Sequence, residues 1–266
     1  MTNETGTYLY AVAADLGIPV PTGLTGVNGG AVRGIAQGGL IAYVSTVPMD
    51  KFGEGPLRTS LENLDWLGRT ARAHHHVVDA VAETGPAAPV RLVTVYSGDE
   101  QVKDLLDRRG EEFLDVLTRV AGRREWGVKA YAEARKPVEE PAGARHGGES
   151  PGTAYLKRRQ ASLQGQEQDR RRAAAVAEEI HDALTAFAVA GRRHRTQDPQ
   201  LSGRRETMLL NGAYLVDEER GEEFARVVDG LRGPGVELEL TGPWVPYSFT
   251  MLEDPAGGEG TADERL

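Results

Sequence analysis

Met208-Leu209-Leu210-Asn211-Gly212-Ala213-Tyr214-Leu215-Val216, then Glu218 to Leu231, then Val236-Glu237-Leu238-Glu239-Leu240, is the stretch that decides the fold class. The first run is aliphatic and aromatic and predicts a strand, with Gly212 as a candidate bulge. The second places Phe224, Val227, Val228 and Leu231 on one side of a helix. Gly233-Pro234-Gly235 turns the chain. The third run alternates apolar and acidic residues, as a half-buried strand does. Upstream, Tyr155 to about Ala190 is rich in Ala and long straight side chains and predicts a long helix. The second half therefore reads helix, strand, helix, strand, an order that a split βαβ sheet of ferredoxin type can accommodate.

The first half mixes the same elements at closer spacing. Tyr8-Leu9-Tyr10-Ala11-Val12 predicts a strand, and a Gly- and Pro-rich loop spans Gly17 to Gly30. Gly39 to Val47 predicts a longer strand stopped by Pro48. Leu57 to Ala82 predicts one helix, with Leu64, Leu67, Ala71, His74, Val78 and Val81 on one stripe. Val90 to Tyr96 predicts a strand, Ser97 opens a helix carrying Val102, Leu106, Phe113 and Leu117, and Trp126 to Tyr131 predicts another strand. Several strands are only one turn apart, which favours α+β over a doubly wound parallel sheet. Lys136 to Gly152 is too rich in Pro and Gly for a regular element. The expected organisation is an N-terminal α+β domain over 1–136, a linker over 137–152, a C-terminal domain over 153–252 and a flexible acidic tail over 253–266.

Composition narrows the function. Of 266 residues, 31 are Lys or Arg and 40 are Asp or Glu, giving a net charge of −9 and a pI near 5.3. With no cysteine, disulfides, thiolate metal sites and cysteine nucleophiles are excluded. The acidic balance disfavours general nucleic-acid binding. Met1-Thr2-Asn3-Glu4 is polar and acidic, unlike a secretory leader, and no uninterrupted apolar run is long enough to span a bilayer. A soluble cytoplasmic protein is the expectation.

Catalytic and cofactor motifs are missing. There is no phosphate-binding loop, no G-x-G-x-x-G, no G-x-S-x-G and no H-E-x-x-H. His74-His75-His76 diverge by about 100° each on a helix, so they do not converge on one metal; His74 belongs to the apolar stripe. Glu178-x-x-His181 has the spacing of a carboxylate-bridged metal ligand pair but lacks the second pair such sites need. A catalytic or small-ligand reading would require perturbed groups to converge, with His74, Arg91 and Glu125 as candidates. The expectation is no enzyme, no metal and no cofactor.

Two segments suit partner binding instead. Lys157, Arg158, Arg159 and Arg170, Arg171, Arg172 lie in a window, 155–195, with nine Lys or Arg against five Asp or Glu. In an acidic chain that is either a solvated helix face or a site for an acidic protein partner. Few aromatics interleave with these arginines, so single-stranded nucleic acid fits poorly. The second segment, Leu240 to Phe249, packs Pro243, Trp244, Pro246, Tyr247 and Phe249 directly behind a strand. Proline donates nothing to a ladder, so the segment leaves the sheet or follows its edge. Its rings either close the fold as an interdomain clasp or anchor a partner.

Taken in order, these motifs resemble the gas vesicle accessory proteins of the F/L type, the GvpF/GvpL family. The tail is similar to that family's G-P-W-P-P-Y-S-F, and Gly152 to Arg159 to its G-x-x-Y-L-x-[KR]-[KR]. Tyr8 to Val12, Gly39 to Val47, the His74-x-x-Val77-Val78 pattern, Pro89-Val90-Arg91-Leu92 and Glu125-Trp126-Gly127-Val128-Lys129 follow in the family's order, from about 8 to 250. Val245 stands where the family often has a proline, and Val93 where it usually has a glycine. The resemblance implies two α+β domains, the second a modified ferredoxin-like fold with additional helices. It also implies a non-enzymatic assembly factor binding the hydrophobic gas vesicle shell subunit and other accessory proteins. Nucleic acid and lipid membrane are not expected partners, on the charge balance and the apolar runs described above.

Overall fold

The computed structural model describes residues 4–132, 151–196, 206–233 and 235–250, with backbone alone at 151–158, 161–162, 166–167 and 169–170. In chain order the elements are β1 (Thr5–Ala14), β2 (Val32–Gln37), β3 (Leu40–Pro48), α1 (Met49–Phe52), α2 (Glu54–Leu61), α3 (Leu64–Ala82), β4 (Ala87–Tyr96) and α4 (Asp99–Val120). They continue with β5 (Arg123–Ala132), α5 (Pro151–Phe187), β6 (Ala190–Arg193), β7 (Met208–Asp217), α6 (Gly221–Gly230), β8 (Val236–Trp244) and α7 (Tyr247–Thr250). Helices and strands are mixed, and the strands form two sheets, ordered β2-β3-β1-β4 and β6-β7-β5-β8. Antiparallel pairing joins β1 to β3 and β4, β2 to β3, and β6 to β7.

Contacts divide the chain into two compact units. The first holds the described residues up to Arg124 and those from Trp244 on; the second holds those between Glu125 and Pro243. Two segments thus stand on the other side of the division from the sequence expectation. Strand β5 lies between β7 and β8, so its ladder belongs to the second sheet. Val245 and Phe249, read with the second half, are 5% and 8% exposed, and Val245 joins the first unit's core. Of the expected linker, 137–150 lie outside the described residues, as does the acidic tail 253–266; Pro151 and Gly152 open α5.

Strand β1 explains the first unit. Leu9 pairs with Val44 and Ala11 with Tyr43, which leaves Tyr10 as a one-residue bulge. The bulge shifts the phase of the side-chain alternation. Tyr8, Tyr10, Ala11 and Ala13 face one core with Val77, Val78 and Val81 of α3. Leu9 and Val12 face the other with Val102, Leu106, Phe113 and Leu117 of α4. A strand covered on both faces reads as a continuous apolar run, as this one does. Arg33 of β2 and Thr7 of β1 both donate to Asp99 Oδ1 at the start of α4, at 2.7 and 2.6 Å, tying strand to helix.

The helix expected over 57–82 is two helices. The side chain of Asn63 accepts the Trp66 N–H at 3.0 Å and caps α3, a bond worth about 1 kcal/mol. Strand β2, V-R-G-I-A-Q, is an edge strand with Ile35 alone buried, so it carries little apolar signal.

In the second unit, Ala177, Ile180 and Leu184 of α5 and Phe224 and Val228 of α6 pack on Val128, Ala130, Leu210, Tyr214, Val216 and Leu238 of the sheet. Gly212 marks no bulge in the β6–β7 register, which runs evenly from Ala190↔Leu215 to Arg193↔Gly212. Its role is space: a Cβ there would stand 2.6 Å from the Tyr214 hydroxyl. Strand β8 lies at the sheet edge, where Pro243 near its end is tolerated.

Candidate functional site

The aromatic segment splits into an outward and an inward part. Pro243 and Trp244 are exposed, Trp244 at 57%. From Val245 on the chain turns in: Val245, Pro246, Ser248, Phe249 and Thr250 are buried and Tyr247 is half-buried. The short helix α7 packs against β4 and α4 of the first unit. Thr250 Oγ1 donates to the Pro89 carbonyl at 3.1 Å. The Tyr247 ring lies edge-on to His75 at 5.3 Å between centroids. Trp244 is thereby held at the surface by a stretch whose following residues are fixed in a core.

Beneath α7 lies a buried polar cluster that the sequence reading did not assemble. The Val93 N–H donates to the Tyr8 hydroxyl at 2.9 Å, and that hydroxyl lies 3.0 Å from His74 Nδ1. His74 is completely buried. Burial pushes its pKa down to about 4, and the neighbouring His75 adds to the shift. Burial also raises the pKa of Tyr8 and Tyr247. Among the described residues, His74 Nε2 and the Tyr247 hydroxyl have no hydrogen-bond partner. Val93, standing where the family resemblance predicts glycine, has φ of 63°. That left-handed conformation is strained for a β-branched residue. It belongs to an irregular stretch of β4: Thr94 pairs with Leu9 and Pro89 with Ala11, leaving 90–93 opposite the Tyr10 bulge. Tyr10 in turn approaches Ser45 Oγ at 2.6 Å and accepts the Val27 N–H at 2.8 Å. The Gly-rich loop serves this contact, since a Cβ at Gly26 would collide with the Tyr10 hydroxyl.

The imidazoles do not gather. His74 lies in the apolar stripe of α3 while His75 and His76 are exposed. Glu178 and His181 take separate partners: Glu178 pairs with Arg193 of β6 at 2.9 Å, and His181 Nδ1 meets the Tyr214 hydroxyl at 2.8 Å. Burial, then the charge of Arg193, lowers the His181 pKa. Among the described residues no group of three or more His, Cys, Asp or Glu is placed to hold a metal, and no helix is long and apolar enough to cross a membrane. Arg91 falls in the first unit and Glu125 in the second.

The six basic candidates, Lys157, Arg158, Arg159, Arg170, Arg171 and Arg172, fall on α5. Arg159, Arg171 and Arg172 are exposed; the side chains of Lys157, Arg158 and Arg170 lie outside the described residues. Arg159 and Arg171 are twelve positions apart, about 18 Å along the helix and about 120° around it, so the two triplets do not form one compact patch.

The comparisons with known proteins match this architecture. Crystal structures of gas vesicle protein GvpF from Anabaena sp. PCC7120 and from Microcystis aeruginosa superpose with TM-scores of 0.66 and 0.61 at 18% and 19% identity. Each covers more than nine-tenths of both chains, 94% and 98% for the Anabaena pair and 93% and 99% for the Microcystis pair. The fold is that of a gas vesicle protein. The family model described as gas vesicle synthesis protein GvpL/GvpF matches residues 6–251, and the chain belongs to that family. Gas vesicle protein L of Streptomyces sp. strain CB03234 is 42% identical over 93% of each chain. Gas vesicle protein F of the same strain is 26% identical over 91% of this chain and 98% of its own length. The similarity is thus higher to the L than to the F protein of one organism. Family membership supports a role in gas vesicle formation.

Proposed function

We propose that this chain is a non-enzymatic assembly factor of the cytoplasm that associates with the gas vesicle, binding its hydrophobic shell subunit and other accessory proteins. An apolar shell subunit has to be kept from aggregating until it joins the wall. An acidic carrier with an apolar docking surface does this, because its charge opposes self-association. The observation that carries the reading is Trp244, a large ring 57% exposed yet fixed by the buried residues that follow it. Rigid exposed aromatics of this kind are common binding anchors. We further read the second unit as a modified ferredoxin-like domain, on its βαββαβ element order and its β6-β7-β5-β8 strand order.

The test is genetic and then biochemical. In a strain stripped of its own F/L-type genes, supplying this gene restores buoyant, light-scattering vesicles; absence of rescue defeats the proposal. In pull-downs of the shell subunit, Trp244→Ala lowers recovery by about ten-fold. Tyr247→Ala is the poorer probe, because Tyr247 packs inside the first unit and its loss perturbs folding.

The second reading, a ferredoxin-like small-ligand module or an enzyme, rests on the perturbed His74. It predicts saturable binding or turnover of a metabolite.

A further inference from the structure

The first unit carries a second apolar feature, away in sequence from both segments above. A half-open pocket of about 310 Å³ lies between the end of β1, the turn after α3 and the last turns of α4. Ala13, Ile41, Tyr43 and Leu117 contribute to its lining, and Leu16, Ile18 and Leu114 line it as well. These last three are 66%, 43% and 45% exposed. Single exposed aliphatic side chains need no explanation; three around one pocket do. Leu16 is held out on a turn: Asp15 N–H donates to the Gly39 carbonyl at 2.9 Å, and Asp15 Oδ1 accepts the Gly17 N–H at 3.1 Å. The pocket's volume is at the small end for small-molecule sites, roughly 300–1,000 Å³. It suits one or two large side chains.

Charge selects the occupant. Asp15 is the only charged residue lining the pocket, and among the described residues it makes no ion pair. An apolar floor beside an unpaired carboxylate complements a large aliphatic or aromatic side chain with a cation next to it. We propose that this pocket docks a partner polypeptide that inserts a large apolar side chain while a neighbouring lysine or arginine meets Asp15. The inference rests on the chain's role as a binder of the hydrophobic shell subunit and names a surface for that subunit other than the aromatic tail.

Co-purification of the shell subunit, co-expressed with the tagged full chain, tests it. The variants are Leu114→Arg, which puts a charge on the apolar lining, Leu16→Ser on the exposed turn, and Asp15→Lys. Because Leu16 and Leu114 are substantially exposed, circular-dichroism melting is expected to stay at the wild-type value. Leu114→Arg is expected to lower recovered subunit about ten-fold or more, and Leu16→Ser and Asp15→Lys several-fold. Raising salt weakens recovery by the wild type, and weakens it less for Asp15→Asn. If the wild type retains the subunit and all the variants retain it equally, the pocket is not the docking site and the assembly role stands. If the wild type retains no subunit, the assembly reading fails and the pocket inference falls with it.

Discussion

Each unit buries a tyrosine on an interior strand and bonds it to a histidine Nδ1 on a covering helix, and the two pairs differ in what surrounds them. In the first, Tyr8 and His74 are both fully buried, the distance is 3.0 Å, and the Val93 N–H is a third member. In the second, Tyr214 is fully buried but His181 is only half-buried, at 2.8 Å, beside Glu178 and Arg193. The hydrogen bonds are alike. The difference lies in what water can replace. His74, severed from Tyr8, stays unsatisfied, whereas His181 can turn to solvent. A buried polar group left unpaired costs about 1–3 kcal/mol, more than the net gain from making the bond.

The largest expected effect follows. Tyr8→Phe strands His74 Nδ1 in the core and unpairs the half-buried Val93 N–H, and is expected to cost about 2–3 kcal/mol. Tyr214→Phe strands one nitrogen within reach of water and is expected to cost about 1 kcal/mol or less. Urea denaturation of the two variants measures both. Equal losses would break the comparison and show that the hydrogen bonds themselves, not their burial, carry the energy.

A pH series sharpens it. His74 titrates near 4 in the folded chain and near 6.5 when unfolded. Between those values the unfolded state binds the extra proton, so stability falls as pH falls from about 6.5 towards 4. From pH 7 to 5 the loss from this one group is about 2 kcal/mol, absent in a His74→Gln variant. Asp99, whose carboxyl Arg33 holds below its ordinary value, titrates under this window and does not obscure it. In proton NMR the His181 ring is expected to titrate above the His74 ring; the reverse order would refute the burial argument.

What was legible in the sequence follows the same division between local pattern and remote contact. The runs at Tyr8 to Val12 and Gly39 to Val47, the His74 stripe and the α4 apolar positions announce themselves, because each is a periodic signal within one element. Strands β2 and β6 did not, being short edges carrying Arg, Gly and little buried surface. The break between α2 and α3 hangs on one side-chain oxygen, that of Asn63. The placement of β5 and of Val245–Thr250 depends on which remote partner wins, which no local pattern encodes. The same holds for the pocket: Leu16 and Ile18 on a loop and Leu114 on α4 are about a hundred positions apart. Sequence alone treats Trp244, Tyr247 and Phe249 alike as large rings behind a strand, and only packing separates the inward Tyr247 and Phe249 from the exposed Trp244.

Val93 gives the smallest and sharpest effect. The first unit's tyrosine is anchored by a backbone N–H that the strand delivers only by taking a left-handed conformation at a valine; no non-glycine residue described in the second unit has a positive φ. An L residue there costs about 1–2 kcal/mol. Glycine removes that strain, but gives back about 0.5–1 kcal/mol in backbone entropy and some packing of a half-buried side chain. Val93→Gly is therefore expected to change stability by less than about 0.5 kcal/mol, in the stabilising direction, while the residue-93 amide keeps its protection from hydrogen exchange because its bond to Tyr8 is untouched. A loss of more than about 1 kcal/mol would mean that the valine side chain contributes more to the core than its backbone conformation costs.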